Sequence, residues 1–272
     1  SQTFLAWGHY SPHSQIRVRL VSWSPHDRPD TGDFWRTRLQ QAIAARRPLL
    51  FEEGHTNVCR LVNAESDGIP GLIVDRYGET LVVQYLTAGV EARRDLWTDL
   101  LRKCEPTAAG LHPTSIYERS DVDVRHKEGL KPRTGLLYGA EPPERLTVRE
   151  NGLRFLVDIR QGHKSGFYLD QRENRQRLRE IATTLTHRGE APTLLNVFAY
   201  SGGFAVYGLS GGCSTAVNID TSADALALGR ENLAANGISD ATTEDIEGDA
   251  FEVLRTMREE KRAFDQIGRA HV

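Results

Sequence analysis

The chain has 272 residues, 34 basic and 37 acidic, with a formal charge of −3. That length suits one large domain or two ordinary ones and buries roughly three quarters of the extended surface. The charge balance excludes a strongly basic nucleic-acid coat or a long acidic tail, the lack of low-complexity runs excludes wholesale disorder, and no stretch approaches 18 uninterrupted apolar residues, so no membrane span is expected.

The opening SQTFLAWGHY has neither a basic start nor an apolar stretch, so secretion has no support. Cys59, Cys104 and Cys213 are far apart and form no CxxC pair. They read as buried thiols in a reducing, cytoplasmic setting. The nine histidines include no HxH or HExxH spacing, so no metal is expected.

Gln15 to Trp23 alternates polar and apolar residues, as a half-buried strand does. One such strand cannot bury a face alone, so residues 1–23 are expected to be the tail of a domain. Residues 33–50 have a helical period, with Phe34, Leu39 and Ile43 on one side and Asp33 placed to cap. Residues 59–86 read as short strands cut by turns, with Leu72–Val74 and Leu81–Tyr85 paired across Tyr77-Gly78-Glu79. Residues 90–103 return to helix and Ser115–Arg119 to strand. Residues 24–144 therefore read as a small α+β domain.

Asn151-Gly152 between RLTVRE and LRFLVD is the clearest hairpin signal. Helix text runs from Asp170 to His187 and stops at Gly189. From Thr193 the text alternates: strand Leu194–Phe198, helix Phe204–Ser210, strand Ser214–Asp220, helix Ser222–Asn236, strand Ala241–Ile246, helix Ala250–Lys261, and a strand starting at Phe264. This is the first half of a doubly wound α/β sheet, which makes 145–266 a separate domain. The last six residues, IGRAHV, read like a translated sequencing adapter, so 267–272 are expected to be a non-native tail.

Ligands of such sheets lie at the carboxyl ends of the strands. There the chain offers Gly202-Gly203 after the first strand, Asp220 at the end of the second and Asp249 after the third. Glycines let the backbone approach a ligand, and a strand-end carboxylate can accept both ribose hydroxyls. Each feature alone is equally a turn or a helix cap; together they point to a nucleotide-type site. The loop is neither GxGxxG nor GxxxxGK[ST], which argues against a dinucleotide or a triphosphate. Tyr200 and Phe204 suit a nucleoside with an apolar sulfur chain. Residues 160–179 hold six Lys or Arg and two acids, whereas 239–260 hold eight acids and two arginines. The basic stretch can attract a phosphate backbone, or be a solvated helix face.

QGHKSGFYLDQRENR, LLNVFAYSGGFAVYGLSGGCSTAVNIDTSADALALGRENLAANG, NAESDGIPGLIVDRYGETLVVQYLTAG and SIYERSDVDVRHKEGL together resemble the class I S-adenosylmethionine-dependent methyltransferases that make 5-methylcytosine in bacterial large-subunit (23S) ribosomal RNA. The resemblance covers residues 4 to about 265. It implies the tail of a β-rich PUA domain, a central α+β domain and an incomplete Rossmann-like methyltransferase domain. It further implies S-adenosylmethionine as cofactor, ribosomal RNA (naked or in an assembly intermediate) as partner, and neither DNA nor membrane. Phe198, Tyr200, Gly202 and Gly203 would line the cofactor loop, Asp220 would hold the ribose, and Asp249 with Ala250 would meet the adenine. Gln171 and Arg172 would lie near the cofactor and target groove. Asn196 stands where many relatives carry aspartate.

Cytosine carbon 5 is a poor nucleophile, and the family answers with a cysteine adduct at carbon 6. Its Asp-Pro-Pro motif and nucleophilic cysteine are absent here, so no nucleophile is named. The chain as written is expected to leave its first sheet strand with an open edge, to fold poorly over its last 80 residues and not to methylate. Three other readings compete: an enzyme acting on another RNA base such as guanine, a non-catalytic RNA-binding module, and a small-molecule dehydrogenase.

Overall fold

The computed structural model describes residues 3–51, 56–104, 112–239 and 242–269. The chain divides into two units, Ser1–Glu144 and Arg145–Val272.

The first unit opens with an antiparallel ribbon, β1 (Trp7–Tyr10) and β2 (Val18–Ser22). β1 has no counterpart in the sequence expectation, and β2 starts later than the alternation at Gln15 suggests. The ribbon leaves Tyr10, Val18, Leu20 and Trp23 exposed. The first helical stretch is split into α1 (Gly32–Ala45) and α2 (Arg47–Phe51). Thr31, not Asp33, is the N-cap of α1; Asp33 lies in the first turn and pairs with Arg36. Five strands follow in one sheet: β3 (Val58–Asn63), β4 (Leu72–Tyr77), β5 (Thr80–Tyr85), β6 (Ser115–Ser120) and β7 (Arg133–Gly139). The β4–β5 hairpin turns at Gly78-Glu79 with Tyr77 opposite Thr80. Between β5 and β6 the expected single helix is broken into α3 (Ala88–Glu91) and α4 (Arg94–Arg102), and α5 (Val124–Lys127) precedes β7. β5 and β6 are parallel; the other pairs are antiparallel.

Trp35, Leu39 and Ile43 of α1 and Trp97, Leu100 and Leu101 of α4 share a core with Leu61, Val74, Leu81, Val83 and Ile116 of the sheet. The Trp35 and Trp97 rings meet edge to face at 5.2 Å. Arg125 of α5 is buried and donates to the Lys131 carbonyl and, at 2.9 Å, to Glu91 Oε2. It fixes the loop that leads into β7.

In the second unit, β8 (Leu146–Glu150) and β9 (Leu153–Val157) form the hairpin, with Asn151 at φ 50° and Gly152 at φ 82°. Both central residues take the left-handed backbone that matches strand twist, which is why Asn-Gly is favoured there. A short 3-10 turn, Leu169–Gln171, leads into α6 (Arg172–His187). Then come β10 (Thr193–Val197), α7 (Gly203–Ser210), β11 (Thr215–Asp220), α8 (Ala223–Ala235), β12 (Thr243–Glu247), α9 (Ala250–Glu259) and β13 (Gln266–Arg269). Ala241, expected at the start of the third strand, lies outside the described residues.

These four strands are all parallel, in the order β12-β11-β10-β13. β10 is flanked on both sides, so the open edge expected at the first strand lies at β13 instead. The residues from Ile267, expected to be foreign, supply three of the four positions of β13. Leu194 and Ala216 pack with Phe204 and Ala205 of α7 and Leu178 and Ala182 of α6 on one face. Leu195, Val197, Val217 and Ile219 pack with Ala250 and Met257 of α9 on the other. The sheet is thus wound on both sides, and its order reverses beside β10.

A polar ladder crosses the sheet at one register. Asn196 Nδ2 donates to Asn218 Oδ1 at 2.9 Å, Asn218 Nδ2 donates to Asp245 Oδ1 at 2.8 Å, and Arg230 donates to Asp245 Oδ2 at 2.6 Å. Every donor points towards the one acid. An aspartate at position 196 would set oxygen against the Asn218 oxygen, and turning Asn218 round would set its oxygen against Asp245. N196D is therefore expected to lower stability by about 1–3 kcal/mol at neutral pH. The loss should shrink in acid, where a protonated Asp can replace the lost donor. Denaturant titrations followed by amide exchange in β10 and β11 check both parts; N196D as stable as the parent at pH 7 would refute the ladder's direction.

His9 supplies a second test. Burial, and then Arg93, lower its pKa from 6.5 to about 4, and neither ring nitrogen has a hydrogen-bond partner among the described residues. Between these values the unfolded chain holds the extra proton, so the first unit loses stability as pH falls from about 6.5 to about 4. All four tryptophans, Trp7, Trp23, Trp35 and Trp97, belong to this unit. Urea titrations read by their fluorescence should show the midpoint falling between pH 7 and pH 5, and a flatter profile for H9L.

Candidate functional site

The site lies at the carboxyl ends of β10, β11 and β12 and is built around Asp220, the last residue of β11. Its Oδ2 accepts from the Tyr200 N–H at 2.8 Å and its Oδ1 from the Ser222 N–H at 3.0 Å. Its carbonyl accepts from the Gly248 N–H at 3.0 Å. One residue therefore ties together the loops that follow three successive strands, and its carboxylate is only half buried. Ser222, not Asp220, caps α8.

The loop after β10 is unusual in its backbone. Phe198, Tyr200 and Gly202 have φ of 55°, 46° and 69°. The left-handed region costs a residue with a side chain roughly 1–2 kcal/mol, and such strain persists only where surroundings impose it. At Gly202 the reason for glycine is spatial as well: a Cβ there would lie 3.0 Å from Gly229 Cα on α8. Gly203 is buried as the first residue of α7. Phe198 is not the end of the strand; it packs half-buried towards α9, tilted against Phe251 at 6.3 Å.

Asp249 caps α9. Phe251 N–H and Glu252 N–H both bond to its Oδ1, at 2.9 and 3.1 Å. Cap and ligand are not exclusive here, because Oδ2 is left outside the cap. Phe251, two residues on, is 64 % exposed and meets the Phe198 ring at 6.3 Å. Ala250 is turned the other way: it is 3 % exposed, with its methyl in the α9 core. The first turn of the helix buries that position, so the expected contact to adenine cannot come from its side chain.

Two further placements differ from expectation. The Tyr200 phenol accepts from the His163 N–H at 3.1 Å and donates to the Gly166 carbonyl at 3.2 Å. It anchors the loop of residues 159–168, and so only the Tyr200 backbone belongs to the rim. Gln171 ends the 3-10 turn, which swings it towards α6, where its Oε1 accepts from Asn174 at 2.9 Å. It lines an open cavity of about 430 Å³ with Leu178, Phe204 and Gln266, and that cavity is not lined by Tyr200, Asp220 or Asp249. Thus Gly202, Gly203, Asp220, Asp249 and the backbone of Phe198 and Tyr200 come together at the strand ends, and Gln171 bonds to Asn174 at the start of α6.

Sequence reasoning missed the supports. Asn232 of α8 is fully buried; it donates to the Ser201 carbonyl at 2.9 Å and accepts from the Leu156 N–H at 2.6 Å, joining the loop to β9. Arg175 and Glu150 form a buried bidentate pair at 2.9 and 2.8 Å, and Tyr207 donates to Glu150 Oε1 at 3.0 Å. Burial and then Glu150 push the Tyr207 phenol well above its usual range, so it remains a donor. Tyr168 belongs to a stretch, with Gln161, Lys164, Asp170 and Gln171, whose density of side-chain donors and acceptors already stands out in the sequence. Its phenol is raised by burial, then by Asp170 and Asp220, which sets it in the field of the Asp220 carboxylate. Among the described residues no group of three or more metal-ligating side chains occurs, and no helix is long and apolar enough to cross a membrane.

The chain is 46 % identical over 264 residues to ribosomal RNA large subunit methyltransferase I of Aeromonas salmonicida (strain A449), covering 97 % of this chain and 63 % of that protein. It is 45 % identical to the protein of that name from Photobacterium profundum, with the same coverage. It therefore spans a little under two thirds of the length of these curated relatives. Among solved structures, a Streptococcus mutans protein described as a candidate SAM-dependent methyltransferase superposes with a TM-score of 0.80 at 23 % identity, over 97 % of this chain and 64 % of that one. A candidate methyltransferase solved with SAH gives 0.80 at 24 %, over 97 % and 63 %. At that identity these two speak for the fold alone, which is Rossmann-like. The family profile for S-adenosylmethionine-dependent methyltransferase matches residues 121–259, just over half of the chain and including every loop of the Asp220 rim, and the chain accordingly belongs to the S-adenosylmethionine-dependent methyltransferase family.

Proposed function

We propose that the Asp220 rim binds S-adenosylmethionine and serves methyl transfer to large-subunit ribosomal RNA, with carbon 5 of a cytosine as the acceptor. The observation that carries the first part is the convergence of three strand-end loops on Asp220. The residues present suit the cofactor. The Asp220 carboxylate is half exposed and can accept from ribose hydroxyls while it keeps its two backbone donors. Asp249 Oδ2 can accept from the adenine amine, and the Phe251 ring can cover its face. The bound cofactor would supply an electrophilic methyl group on a sulfonium.

The RNA part is supported by the names of the relatives and by the charge of residues 160–179. The cytosine part is supported by the sequence resemblance alone. Carbon 5 chemistry needs a thiolate. Cys59 and Cys213 are buried, and burial followed by Asp265 pushes the Cys213 thiol up to about 11, so neither is assigned that role. The ribbon β1–β2 is, on the same resemblance, the tail of a PUA domain.

Calorimetry on the 272-residue chain tests the site. S-adenosylhomocysteine and S-adenosylmethionine should bind, and NADH should not. D249S keeps a capping oxygen but loses the second one. It should leave the melting temperature nearly unchanged and weaken S-adenosylhomocysteine about tenfold or more, the scale of a hydrogen bond to a charged group. RNA binding without any binding of these nucleosides would favour a non-catalytic module. Label transferred from S-adenosylmethionine to ribosomal RNA and recovered as a methylated guanosine would replace the cytosine assignment.

A further inference from the structure

Residues 158–171 connect β9 to α6 and carry Arg160, His163 and Lys164 at the surface. So exposed a connection would ordinarily be mobile, yet two side chains from other elements hold it. Arg175 of α6 donates to the Tyr168 carbonyl at 3.0 Å and lays its guanidinium over the Phe167 ring at 4.5 Å. Tyr200 holds it from the cofactor loop. The phenol bonds to the backbone at His163 and Gly166, the ring stacks on the His163 imidazole at 5.0 Å and 5°, and its face meets the Tyr168 ring edgewise at 5.5 Å. Gly162 is shaped to this contact, since a Cβ there would lie 2.7 Å from the Tyr200 hydroxyl.

The other end of Tyr200 is equally constrained. Its N–H is bonded to Asp220 Oδ2, and its backbone is left-handed. A single residue thus links the ribose-facing carboxylate to the basic connection, and the connection returns Tyr168 to the field of that same carboxylate.

We infer that Tyr200 is a positioning residue: its phenol clamps the 159–168 loop against the cofactor loop, so that the wall of the S-adenosylmethionine site is formed before the ligand arrives. This rests on the cofactor assignment made above. Without the clamp the loop must be ordered at the moment of binding, and that entropy is taken from affinity.

Y200F keeps the ring, the stack and the Asp220 bond but removes the hydroxyl. In the 272-residue chain it is expected to raise the S-adenosylhomocysteine dissociation constant about tenfold. It should also speed amide exchange at 162–168 in the free chain, with protection restored by saturating ligand. Y200G relieves the left-handed backbone and also removes the clamp, so it should bind at least as weakly as Y200F. If backbone strain were the residue's whole contribution, Y200G would match the parent. H163A, which removes only the stack, should change affinity and exchange in the same direction by less, and it serves if the Tyr200 variants do not fold. Y200F with parental affinity, or with parental exchange at 162–168, overturns the inference. If the parent binds no S-adenosylmethionine or S-adenosylhomocysteine while Y200F still loosens 162–168, the cofactor assignment falls and the clamp stands as a contact between loops only.

Discussion

The rim depends on the carboxylate of Asp220 finding two backbone N–H groups that no strand can satisfy. The loop after β10 leaves the Tyr200 amide without a strand partner, and the start of α8 leaves the Ser222 amide in the same position. Asp220 supplies an acceptor to each and is fixed by them in return. Its carbonyl takes the Gly248 amide, so the third loop is drawn in as well. The left-handed conformations at Phe198 and Tyr200 are held in place by these bonds. Loss of the carboxylate would release strain as well as hydrogen bonds.

A second layer of support lies beneath the loop. Glu150 from the hairpin, Arg175 from α6 and Tyr207 from α7 form a buried group in which each polar atom named has a partner. Such a group adds little net stability over an apolar substitute, but breaking it from one side is costly, at about 3–5 kcal/mol. It joins three elements that meet nowhere in sequence. Asn232 does the same between β9 and Ser201. The loop after β10 is thereby braced by the hairpin, which is otherwise a separate two-stranded piece.

Much of the second unit was legible because its signals are local. Apolar runs ending in Asp220 or before Gly202-Gly203, the Asn151-Gly152 turn and the period of α8 each report the structure of their own few residues. β7 was missed because its edge position leaves its side chains mostly exposed, without alternation. α1 gives way to α2 just before Pro48, which has no N–H to continue the ladder and whose ring clashes with the carbonyl four residues back, whereas the division of α3 from α4 at Ala92-Arg93 has no Pro or Gly to announce it. For Gln171 a motif gives proximity along the chain, whereas the 3-10 turn at Leu169–Gln171 decides its neighbours in space, Asn174 among them. The side chains of Glu150, Arg175 and Asn232 could not be read at all: a charged or amide residue at a strand end or on a helix looks solvated until its distant partner is known.

Gly202 and Gly229 touch backbone to backbone, with a Cβ on either one falling 3.0 or 3.6 Å from the other's Cα. The spacing of the loop after β10 from α8 is therefore set by bare main chain, and no choice of side chain can adjust it in small steps. Evolution or a protein engineer can retune this rim through Asp249, Phe251 or Tyr168, at its periphery, but the floor beneath it admits only one width.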